Sequence, residues 1–303
     1  MKLKVWFLET RPQFLLLSVV LAFLGTCIAW HDSTRYGGIL HLGHALLAFF
    51  GLLLCHISVN VLNDYFDYRS GIDLEVKRTP FSGGSGILPP ALLKPRQVLW
   101  FGIISFLLAV PIGVYFVTSL DQGWFLLPLL IIATVCILLY TPLITKLGWP
   151  EWAPGVGMGF LPVLGMYFVQ TTAYTWPAVV AAIPSGILVH NLLLLNEFPD
   201  AEADRKAGRK TLPITMGKAR ASKVYSVLTV IVYLWIIGAV IAGQMPPFSL
   251  IALLTLPLAI RAIQGALKHQ ELDKLVPAMA NNVLVVLLTQ LLLGIGYILA
   301  GFF

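Results

Sequence analysis

The sequence predicts an all-α fold, a multi-pass membrane bundle of nine transmembrane helices built as two four-helix-like halves around a central cavity. Composition points there first: 58% of residues are hydrophobic and 11% charged, whereas soluble domains carry about 25% charged residues. The apolar residues gather into long runs, and a run of about 18 or more can cross the hydrocarbon core of a bilayer. The basic residues are confined to alternate connections between those runs, the pattern that orients membrane helices.

In chain order the runs are 13–30, 41–63, 97–118, 124–141, 153–170, 176–197, 222–242, 247–266 and 281–302, spans 1 to 9 below. No small-residue cleavage pattern follows span 1, so it is expected to stay as a span rather than leave as a signal peptide. Pro111, Pro162, Pro184 and Pro257 fall inside spans, where a membrane bundle can satisfy the backbone groups they free. Gly155, Gly157 and Gly159 in span 5 are expected to let neighbouring helices approach closely. Cys27, Cys55 and Cys136 sit singly in three spans, without metal-binding spacing, and read as packing residues. The chain, 1–303, reads as one membrane-embedded domain.

With nine spans and a cytoplasmic N-terminus, every Lys and Arg except Arg35 falls on the cytoplasmic side. The connections after even-numbered spans are then cytoplasmic and the C-terminus lies outside, in a cell (inner) membrane. Topology accounts for the net charge of +6, so no nucleic-acid partner is implied.

More than half of the 14 acids cluster in two places. Asp64, Asp67, Asp73 and Glu75 follow span 2; Glu197, Asp200, Glu202 and Asp204 follow span 6. The two segments read as copies, Asn63-x3-Asp67 with Asp73 beyond and Asn196-x3-Asp200 with Asp204 beyond, four helices apart. Such repetition suggests a duplicated unit around a central site. Residues four apart share a helix face, so Asn63 pairs with Asp67 and Asn196 with Asp200. Gly71 is expected to break the first helix so that Asp73 turns back, and Pro199 to limit the regularity of the second.

Clustered carboxylates beside a low-dielectric medium repel one another and resist ionisation. A cation should hold them, and Mg2+ takes one or two carboxylates together with phosphate oxygens and water. Facing motifs could therefore hold metal ions with a diphosphate between them. Arg69, Lys77 and Arg78 follow the first motif, Arg205, Arg209 and Lys210 the second, and Lys146 stands beside Tyr140 in a short connection. Of these, Arg78, Lys146, Lys210 and Tyr140 are the candidate substrate-binding residues.

At these residues the chain resembles the intramembrane aromatic prenyltransferases of the UbiA superfamily, whose marks are two NxxxDx(3–5)D motifs after the second and sixth of nine helices. The segments YRSGID and LLNEFPDAEADRKAGRKTLPITMG resemble, within it, enzymes that prenylate 1,4-dihydroxy-2-naphthoate on the way to menaquinone. The resemblance implies that Asp67, Asp73, Asp200 and Asp204 hold Mg2+ against a polyprenyl diphosphate, assisted by Asn63 and Asn196. Arg78, Lys146 and Lys210 would neutralise the departing pyrophosphate, and the allylic cation would be attacked by an aromatic acceptor. Hydroxybenzoate, homogentisate or a glycerol phosphate ether are the alternative acceptors, and a secondary transporter is the rival from another class. Its acids would lie at mid-membrane, whereas these cluster at one face.

Water must be kept from the cation, which makes 74–95 and 205–220 candidate lids, the first flexible through Ser82-Gly83-Gly84-Ser85-Gly86. Tyr65, Phe66 and Tyr68 either face the site or mark the membrane interface. His56 and His190 read as hydrogen-bonded bridges between helices, or as partners of the acceptor hydroxyl. Lipid is the expected surrounding, and no protein partner is implied.

Overall fold

The computed structural model describes residues 2–76, 78–268 and 272–303. Lys77 lies outside the described residues. Every regular element among them is helical. Among the described residues, eight helices are long and apolar enough to cross a membrane, and a bent pair, Gly123–Leu138 with Tyr140–Leu147, makes a ninth candidate as span 4. Helices stand at all nine predicted spans.

Several helices outrun their apolar stretches. Span 2 is Leu42–Ser70 and span 6 is Trp176–Lys206, so both acidic motifs lie on helical extensions of membrane spans. Span 2 stops where expected: Gly71 adopts φ 85°, a left-handed conformation open to glycine. A short turn, Ile72–Glu75, then carries Asp73. The expectation for Pro199 is corrected, because span 6 continues unbroken through Pro184 and Pro199. In a membrane bundle, neighbouring groups and small local adjustments can satisfy the carbonyl that each proline leaves without its usual donor.

Span 4 bends by 64° between Leu138 and Tyr140. Pro142 has no N–H for the Leu138 carbonyl, and its ring crowds that carbonyl. The wider turn Tyr140–Ile144 that follows directs Tyr140 inward.

In each half the motif-bearing helix packs on its successor, span 2 on Pro95–Ser119 and span 6 on Lys218–Ile241. Burial separates centre from rim: 72% of the apolar window of Trp152–Thr171 is inside the bundle, against 22% for Pro95–Ser119. The latter leaves Trp100, Leu107 and Leu108 exposed, a face suited to acyl chains. The span 5 glycines do allow close approach. A methyl group at Gly159 would lie 2.5 Å from the Ser185 carbonyl of span 6.

Candidate functional site

The two motifs meet. Asn63, Asp67 and Asp73 from the first and Asn196, Asp200 and Asp204 from the second line one polar chamber at the motif end of the bundle. Arg11, Tyr140, Glu197 and Arg209 complete its walls, and Ser82, Gly83 and Gly84 cover it. The chamber shares Arg11, Asn63, Tyr140, Leu193 and Asn196 with an apolar cavity of about 130 Å³, lined by Phe14, Leu17, Val59, Met158 and Val189. Ile137 and Met158 in turn border a second apolar groove between spans 2 to 5.

One cation crosses between the motifs. Arg209 donates from Nη1 to Asp204 Oδ1 at 2.9 Å and from Nη2 to Asp67. Burial works against its charge, but Asp67 and Asp204 outweigh burial and hold its pKa above the ordinary arginine value. The other two carboxylates have no such partner. Asp200 accepts the Gly83 N–H at 3.2 Å through Oδ2, while its buried Oδ1 has no partner among the described residues. Asn196 Oδ1 is buried and unpartnered in the same way. Asp73 is pushed up to about 8, chiefly by burial and then by the charges of Asp67 and Asp64.

This donor set suits a hard cation. Two of its unpartnered oxygens, Asp200 Oδ1 and Asn196 Oδ1, belong to residues a turn apart on span 6 that line the chamber with the opposite motif. Among the described residues no three His, Cys, Asp or Glu side chains enclose a metal unaided. Mg2+ does not require that, since it commonly completes its shell with phosphate oxygens and water.

The basic residues are distributed differently from expectation. Arg78, Lys146 and Lys210 are exposed and none lines the chamber. Arg78 instead donates through Nε to the Gly84 carbonyl, 3.2 Å away. Lys210 ties its backbone to the end of span 4, its N–H donating to Thr145 O and its carbonyl accepting from Trp149. Arg69 and Arg205 are exposed as well. Among the described residues, the cations that reach the chamber are Arg209 and Arg11.

A sequence signal for Arg209 existed. Span 6 ends in a Schellman cap, with Gly208 at φ 79°. The Gly208 N–H donates to Arg205 O and the Arg209 N–H to Asp204 O. That cap folds Arg209 back onto the last helical turn. Arg11 follows no such cap: with Pro12 it resembles the family's start, it adopts φ 54° between the helix Lys2–Glu9 and Pro12, and its guanidinium lies 4.7 Å from the Phe14 ring.

Tyr140 lines both chambers, whereas Tyr65 and Tyr68 pack against an apolar cluster that includes Ile87 and Leu88. His56 bridges helices as expected, its Nδ1 2.8 Å from Ser18 Oγ of span 1. His190 contacts its neighbour Asn191 at 3.3 Å. Asn63 donates to Thr141 Oγ1 at 3.1 Å, joining the first motif to the bend of span 4.

Known proteins resemble the chain along nearly its whole length. Residues 18–285 match the model of the UbiA prenyltransferase family. The 1,4-dihydroxy-2-naphthoate octaprenyltransferase of Bacillus subtilis is 30% identical over 97% of this chain and 92% of its own length. The enzyme of that name from Haemophilus influenzae is 24% identical over 98% and 97%. Among solved structures, one of digeranylgeranylglyceryl phosphate synthase has a TM-score of 0.64 at 20% identity, covering 98% of this chain and 99% of its own. A UbiA homolog from Archaeoglobus fulgidus, bound to GPP and Mg2+, has a TM-score of 0.56 at 14% identity over 93% and 99%. At such identities the solved structures bear on fold alone, and the sequence match decides membership: the chain belongs to the UbiA prenyltransferase family.

Proposed function

We propose that this membrane prenyltransferase, acting as one domain over residues 1–303, moves a polyprenyl group from its diphosphate to 1,4-dihydroxy-2-naphthoate. The observation that carries this is the junction of two chambers, one lined by carboxylates from both motifs and the other by apolar side chains. A diphosphate belongs in the first and an isoprenoid chain in the second. The acceptor follows from the naphthoate octaprenyltransferases to which the chain is similar along nearly its whole length.

Asp67, Asp73, Asp200 and Asp204, with Asn63 and Asn196, are the residues that would hold Mg2+. Bound there, the ion would offset the diphosphate charge and stabilise the leaving oxygen. Arg11 and Arg209 take the role first expected of Arg78, Lys146 and Lys210, binding diphosphate oxygens at the wall of the chamber. Tyr140 stands where the chambers join and offers a ring face to positive charge at the allylic carbon. The lid residues Ser82–Gly84 keep water from that carbon. The positive-inside distribution supports a cytoplasmic chamber and N-terminus, with the C-terminus outside.

The test uses purified protein in nanodiscs with Mg2+, radiolabelled polyprenyl diphosphate and a panel of acceptors. Dihydroxynaphthoate, hydroxybenzoate, homogentisate and a glycerol phosphate ether are compared. A prenylated naphthoate that disappears with EDTA, and in Asp67→Ala and Asp200→Ala, is the expected result. Preference for another acceptor would reject the naphthoate assignment. Absence of both product and pyrophosphate release would reject the transfer itself.

A further inference from the structure

We infer that Glu9, Ser85 and Asp64 form a latch fixing the glycine-rich lid over the diphosphate chamber, so that Asp64 is a positioning residue and not a metal ligand. The inference rests on the proposed function only for what the chamber holds. Asp64 adjoins Asn63 in the first motif and resembles the other acids in sequence. It does not line the chamber, whereas Asp67, Asp73, Asp200 and Asp204 do. Its side chain is turned toward the lid, where both carboxylate oxygens accept the Ser85 N–H at 2.9 and 3.0 Å.

Ser85 reaches a second acid at the same time. Its hydroxyl donates to Glu9 Oε2 at 2.9 Å. Glu9 ends a helix on the surface of the protein yet is 0% exposed, and Asp64 is 1% exposed. Burying a carboxylate costs free energy unless its hydrogen bonds are made. Here the lid residue Ser85 supplies a donor to each acid, so opening the lid takes those donors away. Apolar contacts reinforce the closed position: Val5 and Trp6 of the first helix pack with Val61 of span 2 and with Ile87 and Leu88 of the lid.

The lid tip is held from the other motif by the Gly83 N–H on Asp200. Gly84 is tight against the chamber, since a methyl group there would come 2.7 Å from Asp73 Oδ2. The latch thereby orders two things at once: the cover of the chamber, and the position of Arg11 two residues after Glu9.

Hydrogen exchange on metal-free protein in nanodiscs tests this without relying on catalysis, so its outcome is independent of whether the transfer reading holds. Peptides covering 78–90 should exchange about tenfold faster in Glu9→Ala and Asp64→Ala, as expected for losing hydrogen bonds to carboxylates. Lys218–Ile241 should remain unchanged, and Glu9→Gln, which keeps an acceptor oxygen, should resemble the parent. If an alanine variant loosens the whole bundle, Ser85→Ala decides: faster exchange confined to 78–90 supports the latch, and none overturns it.

In turnover, Asp64→Ala, which removes the acceptor, should raise KM for the prenyl diphosphate while leaving the Mg2+ concentration for half activity unchanged. A Mg2+ requirement raised as much as in Asp67→Asn would make Asp64 a metal ligand and overturn the inference.

Discussion

Each motif gives one carboxylate to a pair that already shares a cation and one to a pair that does not. Asp67 and Asp204 share the Arg209 guanidinium. Asp73 and Asp200 face the same chamber with no ion pair among the described residues. Asp73 is accordingly shifted toward its neutral form. Identical side chains thus carry different electrostatic loads, and the difference comes from one residue beyond the second motif. The clamped pair already shares a cation in the metal-free protein, while the open pair gains most from an incoming one.

Removing Arg209 breaks this distinction and should have the largest effect. Leaving a buried ion pair without one partner costs about 3–5 kcal/mol. Arg209→Ala should therefore lower the melting temperature in EDTA, with Mg2+ restoring much of it, and cut kcat/KM by about a hundredfold or more. Arg209→Lys should recover only part, because an ammonium lacks the planar fork that reaches both acids. An unchanged melting temperature in EDTA would mean that the clamp does not hold the motifs together.

A pH series sharpens the comparison from the open pair. Folding raises the Asp73 pKa from 3.8 to about 8, and that of Glu9 from 4.5 to about 8, with burial the main cause of each. A raised carboxyl keeps its proton in the folded state over that interval while the unfolded chain releases it. Stability of the metal-free protein is thus fully present below the unfolded pKa values and is lost as pH rises toward about 8. Mg2+ needs the ionised form, so its affinity should rise about tenfold per pH unit over this window for one proton released. Melting temperatures in EDTA should fall across the interval, and the gain from Mg2+ should grow. Asp73→Asn should flatten the proton-linked part of the Mg2+ dependence; an equally steep dependence in that variant would assign the proton elsewhere.

The spans and motifs were legible because they are local patterns: apolar runs of sufficient length, and Asn and Asp one helical turn apart. Gly71 was legible for a similar reason, since a helix end followed by glycine has few alternatives. Of the cations, Arg209 alone left a comparable signal. Arg78, Lys146 and Lys210 are near the motifs in sequence, but their exposed side chains leave them outside the chamber. Arg209 enters through the geometry of a helix cap, and Arg11 through a contact between the chain's first residues and spans far along it. The partners of Asp64 were equally hidden, because they combine the first helix, span 2 and a loop that only the folded bundle brings together.

The smallest effects should come from the two backbone residues by which the motifs differ. Gly71 turns the chain at φ 85°, and a methyl group there meets nothing within 4 Å. The penalty for Gly71→Ala is therefore one of backbone conformation, about 1–2 kcal/mol. Relief of that strain would shift the turn that carries Asp73, and kcat/KM should fall by up to about thirtyfold, the most that such a penalty permits. Gly71→Asn should lose less, because asparagine tolerates the left-handed region better. Pro199 asks nothing comparable of the second motif. The helix is already continuous there, so Pro199→Ala restores an N–H for the Leu195 carbonyl without redirecting Asp200 or Asp204. Activity should remain within about twofold of the parent, as for a helix residue replaced by a better helix former. If Pro199→Ala costs as much as Gly71→Ala, the second motif depends on a local distortion at its proline, and the contrast between a broken helix and an unbroken one no longer explains how the four carboxylates are aimed.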